Sequence, residues 1–130
     1  MSEFKGRGGI MHFFSACRYS LQGLAHALRH EVAFRQELLF AIPAGIVVWF
    51  LPVSPVRKIV LLGSVVMVLV VELLNSAIEA TVDRVSLERH PLAGRAKDLG
   101  SAAVMLTLLL TVTTWVVLVG PVVYGLLRAG

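Results

Sequence analysis

Glu72, Asn75, Glu79 and Asp83 have the types and the spacing to do chemistry together. On a helix at about 100° per residue they share an arc of roughly 80°, along about 16 Å of the axis. They continue an apolar run from Ile59 to Val71, and Leu73, Leu74, Ala77, Ile78, Ala80 and Val82 fill the positions between them. A carboxylate carried into apolar surroundings loses its hydration and is costly unless it is paired or used. Acids in such a helix therefore mark a site.

Each acid has a different reading. Glu72 has no lysine or arginine within one turn of its own helix, so it can serve as a general base for a reacting hydroxyl. The alternative is a buried structural acid satisfied by Ser76 or by a group on another helix. Glu79 is a candidate oxygen ligand for a hard divalent cation, and Mg²⁺ takes one or two carboxylates together with waters and phosphate oxygens. Glu31 could supply the second carboxylate, although a solvated acid at a helix end fits the spacing equally well. Glu37 could pair with a cationic side chain.

Further along, Glu88-Arg89-His90 leads to Gly94-Arg95-Ala96-Lys97-Asp98-Leu99-Gly100-Ser101. Arg95 and Lys97 can hold phosphate charge at an interface, and Asp98 before small residues can begin a helix. No GxxxxGK[ST] phosphate loop and no soluble-kinase catalytic loop occurs. His12, His26, His30 and His90 lack zinc-ligand spacing, and His26 and His30 read as solvent-facing.

The elements that must position these groups follow from composition. With 130 residues, 57% of them hydrophobic, and a mean hydropathy of +0.82, the chain is too apolar for a soluble domain of this size. It reads as one all-α integral membrane domain. The charge of +4 comes from basic residues scattered between apolar segments, which suits anionic lipid headgroups better than nucleic acid. The single Cys17 excludes an internal disulfide and is read as packing. Residues 1–9 are charged and glycine-rich, and His12, Arg18 and Gln22 interrupt the next segment, so no cleavable signal is expected.

Residues 10–30 alternate apolar positions (Ile10, Phe13, Phe14, Cys17, Leu21, Leu24, Leu28) with His12, Ser15, Tyr19, Gln22, His26 and Arg29. That pattern predicts an amphipathic helix on the membrane surface. Spans are predicted over 34–52, over 56–85 with a cytoplasmic extension, and over 98–127. Pro43 is a potential kink in the first, and Pro52-Val53-Ser54-Pro55 separates it from the second. Lys5, Arg7, Arg18, Arg29 and Arg35 precede the first span, and Arg84, Arg89, Arg95 and Lys97 join the second to the third. Only Arg57, Lys58 and Arg128 lie opposite. The N-terminus and the 84–97 connection are thus expected in the cytoplasm and the C-terminus outside. With Ile59 at the outer edge of the hydrocarbon, Glu72 lies about 20 Å further in, near the inner boundary, and Glu79 and Asp83 reach cytoplasmic water.

Three segments, Glu72–Arg84, Gly94–Ala103 and Glu31–Glu37, resemble the bacterial diacylglycerol kinase family of small three-span membrane enzymes, and the likeness covers nearly the whole chain. The resemblance implies a homotrimer with active sites at subunit boundaries, in the bacterial inner membrane. It implies that Glu72 is the general base for the lipid hydroxyl and that Asn75 orients it and the transferring phosphoryl group. Glu31 and Glu79 would hold the Mg²⁺ that accompanies ATP. Tyr19, Glu88, His90, Lys97 and Asp98 would contact ATP, and Phe34, Arg35, Gln36, Glu37, Ser101 and Trp115 would line the lipid site. His12 stands where family members often carry a phosphate-contacting arginine, and Ser15 replaces a commonly basic position; Arg7 or Arg18 could compensate.

The expected reaction is transfer of the ATP γ-phosphate to diacylglycerol, giving phosphatidic acid. Undecaprenol kinase on the same scaffold is the alternative, disfavoured by Ala33–Glu37 and Val82–Arg84. A small oligomeric channel or proton-coupled transporter would use Glu72 and Glu79 as an ion path, but would not call for Arg95, Lys97 and Asp98. A structural subunit leaves the buried acids unexplained.

Overall fold

A computed structural model describes residues 8–85 and 90–130, and these form four α-helices: α1 (Gly9–His30), α2 (Val32–Phe50), α3 (Pro55–Val85) and α4 (Pro91–Ala129). The last three are long and apolar enough to cross a membrane, with mean hydropathies of 1.4, 2.3 and 2.3 over their most apolar windows. At 1.5 Å per residue, α3 and α4 are about 46 and about 58 Å long, well beyond the ~30 Å of a hydrocarbon core. A core of that thickness would leave several turns of each helix outside it.

The breaks between helices have local causes. Glu31 alone is extended between α1 and α2 (φ −103°, ψ 106°), and its N–H still donates to Ala27 O at 2.9 Å. The Arg35 guanidinium, one turn into α2, donates back to Arg29 O at 2.9 Å and Leu28 O at 3.4 Å. A cation thus satisfies carbonyls that the end of α1 leaves open. After Phe50 the chain turns through Pro52, and Ser54 begins α3: its Oγ accepts from Arg57 N at 3.3 Å, ahead of Pro55 in the first helical position. Lys58 Nζ closes the same corner on Trp49 O at 2.9 Å.

The fourth helix begins at Pro91, well before the Asp98 expected from the sequence. Pro91 is preset for a first turn and needs no N–H there, and His90 caps it by accepting from Leu92 N at 3.1 Å on Nδ1. Lys97 and Asp98 consequently ride on a helix and not on a loop.

Packing centres on α3, which runs along α4 over most of its length and along α2 over less; α1 touches α2 only lightly. Among the described residues the buried apolar ones are few, namely Ala27, Phe34, Val48, Leu61 and Val68, while most large apolar side chains face outward. That distribution suits helices whose solvent is hydrocarbon. Cys17, expected from the sequence to pack, is exposed on α1, a helix with only Ala27 buried.

Candidate active site

The C-terminal half of α3 buries two polar residues against its neighbours, Glu72 at 6% exposure and Asn75 at 8%. Helical spacing puts them one turn apart, and Glu79 follows one turn later. Asn75 Nδ2 donates to Glu79 Oε1 at 3.4 Å, a long hydrogen bond that ties the two side chains along one face. Asn75 Oδ1 is buried with no donor facing it.

From α2, Glu37 brings its carboxyl within hydrogen-bonding reach of Glu72. One of its oxygens, Oε2, is buried without a partner. Glu31, at the α1–α2 break, and Glu79 both lie close enough to act electrostatically on Glu72. Although Glu31 occupies the N-cap position of α2, its side chain makes no capping hydrogen bond, so its carboxylate is not spent on the helix end.

Glu37 from α2, Glu31 from the junction and Glu79 from the same helix thus all bear on Glu72. Among the described residues no lysine or arginine forms an ion pair with any of them. Carboxylates at such range repel unless a proton or a cation lies among them. Hard oxygen donors without a protein cation are the chemistry of a Mg²⁺ site completed by waters and phosphate oxygens. Among the described residues no group of three or more His, Cys, Asp or Glu side chains is placed to hold a metal ion.

Two grooves flank these acids. One, of about 430 Å³, has Glu37 at one end and is otherwise lined by apolar residues of α2, α3 and α4, with Thr111 and Trp115 on the α4 side. The other, of about 530 Å³, lies between α1 and α3 and is lined by Ser20, His26 and Glu31 opposite Ser76 and Ala80.

The remaining predicted residues are spread around these features. Phe34 is buried at 4%, Gln36 is exposed, and Arg35 is engaged with the end of α1. Trp115 is half-buried and donates from Nε1 to Ser64 Oγ at 3.2 Å; Ser101 is exposed. His12 and Tyr19 are exposed on α1, with the Arg18 guanidinium 5.4 Å from the Tyr19 ring centre. Asp98 and His90 are exposed, and Glu88 lies outside the described residues. Lys97 meets Asp83 at 2.6 Å, an ion pair joining the ends of α3 and α4 that spacing on either helix alone does not show.

Two further features of the α3–α4 contact are not foreshadowed by the sequence pattern. Ser64 accepts hydrogen bonds from both Thr111 and Trp115, and Gly100 is the one buried residue of α4. The small-residue run Gly100-Ser101-Ala102-Ala103 is the available signal for a close helix approach.

Residues 18–119 match the family model described as prokaryotic diacylglycerol kinase. The chain belongs to that family. It is 48% identical over 114 residues to the diacylglycerol kinase of Pseudomonas aeruginosa, covering 88% of this chain and 93% of that one. To the diacylglycerol kinase of Escherichia coli K12 it is 44% identical, over 85% and 90% of the two chains. To that of Helicobacter pylori 26695 it is 36% identical, over 82% and 84%. The stretch matched by the prokaryotic diacylglycerol kinase model includes Glu31, Glu37, Glu72, Glu79, Asn75 and Gly100, but not His12.

Proposed function

We propose that this protein is an ATP-dependent lipid kinase of the bacterial inner membrane that converts diacylglycerol to phosphatidic acid. The observation that carries the reading is a buried glutamate in an apolar helix, Glu72, facing a second acid, Glu37, in a chain of this family.

Glu72 accepts the proton of the lipid hydroxyl as its oxygen bonds to the γ-phosphorus of ATP and the bond to the ADP oxygen breaks. Asn75 orients Glu72 and the transferring group from one turn further along the same buried face. Glu31 and Glu79 would hold Mg²⁺, which supplies positive charge against the phosphate oxygens. Lys97 adds to that charge, and its exchange of Asp83 for phosphate would couple nucleotide arrival to the α3–α4 junction. His12, Tyr19, Glu88, His90 and Asp98 complete the nucleotide contacts. Phe34, Arg35, Gln36, Glu37, Ser101 and Trp115 receive the lipid, with acyl chains in the apolar groove that begins at Glu37.

The reading includes a homotrimer with composite sites, α1 lying on the cytoplasmic membrane surface, a cytoplasmic N-terminus and a periplasmic C-terminus. The lysine and arginine distribution supports the orientation.

The test is transfer of labelled γ-phosphate by purified protein in mixed micelles, with diacylglycerol and undecaprenol as competing acceptors. Faster labelling of diacylglycerol is expected. Preference for undecaprenol would reassign the substrate, and no lipid labelling with ion flux in vesicles would reassign the class.

A further inference from the structure

We infer that Gly100 is a positioning residue for phosphoryl transfer: its lack of a side chain keeps the Asn75 amide turned toward Glu79. The inference rests on the role proposed for Asn75.

Gly100 is buried where α4 crosses the Asn75 level of α3. A Cβ built there collides with Asn75 Oδ1 and comes within 3.2 Å of Asn75 Cγ. No other described glycine has so close a neighbour; Gly45, for instance, would meet only Leu62 at 3.7 Å. Nor does the backbone call for glycine, because no glycine of the described chain has a positive φ. In a helix interior alanine is the better residue and glycine the weaker one. The advantage of glycine at this position therefore lies in what the missing Cβ leaves room for.

That room is filled by the end of a rotatable side chain and not by backbone. An added methyl group is relieved by turning the Asn75 amide, without driving α3 and α4 apart. The turn carries Nδ2 off Glu79 Oε1, a contact already long at 3.4 Å. Asn75 is 8% exposed, so its amide has no solvent-filled space in which to recover an equivalent position. Gly100→Ala is thus expected to spare the fold and damage the site, the reverse of an ordinary small-to-large change in a packed interior.

The test is a cycle of four proteins: wild type, Gly100→Ala, Asn75→Ala and the double variant. Each is measured for thermal unfolding in detergent, for kcat with lipid and ATP, and for the Mg²⁺ concentration giving half-maximal rate. Gly100→Ala is expected to unfold at or above the wild-type temperature, to lose tenfold or more in kcat, and to need several-fold more Mg²⁺. In the Asn75→Ala background, where the colliding amide is gone, Gly100→Ala is expected to change neither quantity further.

Wild-type kcat and Mg²⁺ dependence in Gly100→Ala, beside an impaired Asn75→Ala, would overturn the inference and leave the role of Asn75 standing. A wild-type rate in Asn75→Ala would instead remove the reading on which the inference rests. If Gly100→Ala failed to fold, the double variant decides: recovery of folding supports the collision with Asn75, and failure in both overturns it.

Discussion

Helix α3 carries two polar levels that differ in how their hydrogen bonds close, one facing α4 and the other facing both α2 and α4. At the upper one, Thr111 Oγ1 donates to Ser64 O at 3.1 Å and Trp115 Nε1 to Ser64 Oγ at 3.2 Å. Ser64 Oγ also donates to Leu61 O at 2.7 Å, so each hydroxyl and the indole have partners. At the lower one, Asn75 Oδ1 and Glu37 Oε2 are buried without a partner, and Glu72 faces another acid. Both levels place polar groups between apolar helices, where interhelical hydrogen bonds act as glue. Only the upper one is complete. Buried acceptors without a donor cost stability, so the lower level is the one at which the fold gives stability up.

If that contrast is sound, substitutions at the two levels should separate activity from stability. The largest effect belongs to Glu72→Gln, which keeps shape but removes the proton acceptor. Transfer is expected to fall by about 10²–10⁴-fold, with thermal unfolding unchanged or improved. A rate within a fewfold of wild type would break the comparison at its centre. Glu79→Gln comes next: removing one of two metal carboxylates should lower the rate by about 10–100-fold and raise the Mg²⁺ requirement, read from titrations at saturating ATP. Unchanged Mg²⁺ dependence would take Glu79 out of the ligand set.

At the closed level the order reverses. Ser64→Ala removes one interhelical hydrogen bond and leaves Trp115 Nε1 seeking a partner, so about 0.6–1.7 kcal/mol of stability should be lost. The specific activity of the folded protein should stay within about threefold of wild type, and a loss as deep as that of Glu79→Gln would show that the two levels are not independent. The smallest effect is expected of Asp83→Asn. The ion pair it breaks has side chains 43% and 61% exposed, and solvent-exposed pairs of this kind contribute little to stability. Its use lies in the ATP titration, where a lower KM would show that Asp83 competes with phosphate for Lys97.

Much of this is legible in one dimension. The acid face of α3 follows from a 3.6-residue period over Glu72, Asn75 and Glu79, and the apolar runs around it require membrane-length helices. The start of α4 is legible too, in His90-Pro91, but Asp98 before its small residues offers a competing cap further along. Arg35 is the opposite case: nothing in its own segment shows that its guanidinium reaches back to the carbonyls at the end of α1.

The sequence by itself determined which residues share a face of one helix and that three helices are apolar enough to span a bilayer, because both depend only on local period and composition. Which face meets which neighbour was decided by tertiary structure alone. The pairing of Glu37 with Glu72, the seating of Asn75 over Gly100 and the bridge from Lys97 to Asp83 each depend on the rotation and axial register of two helices packed side by side. Those registers are set by how side chains of both surfaces interlock, a property of the pair that neither helix carries alone.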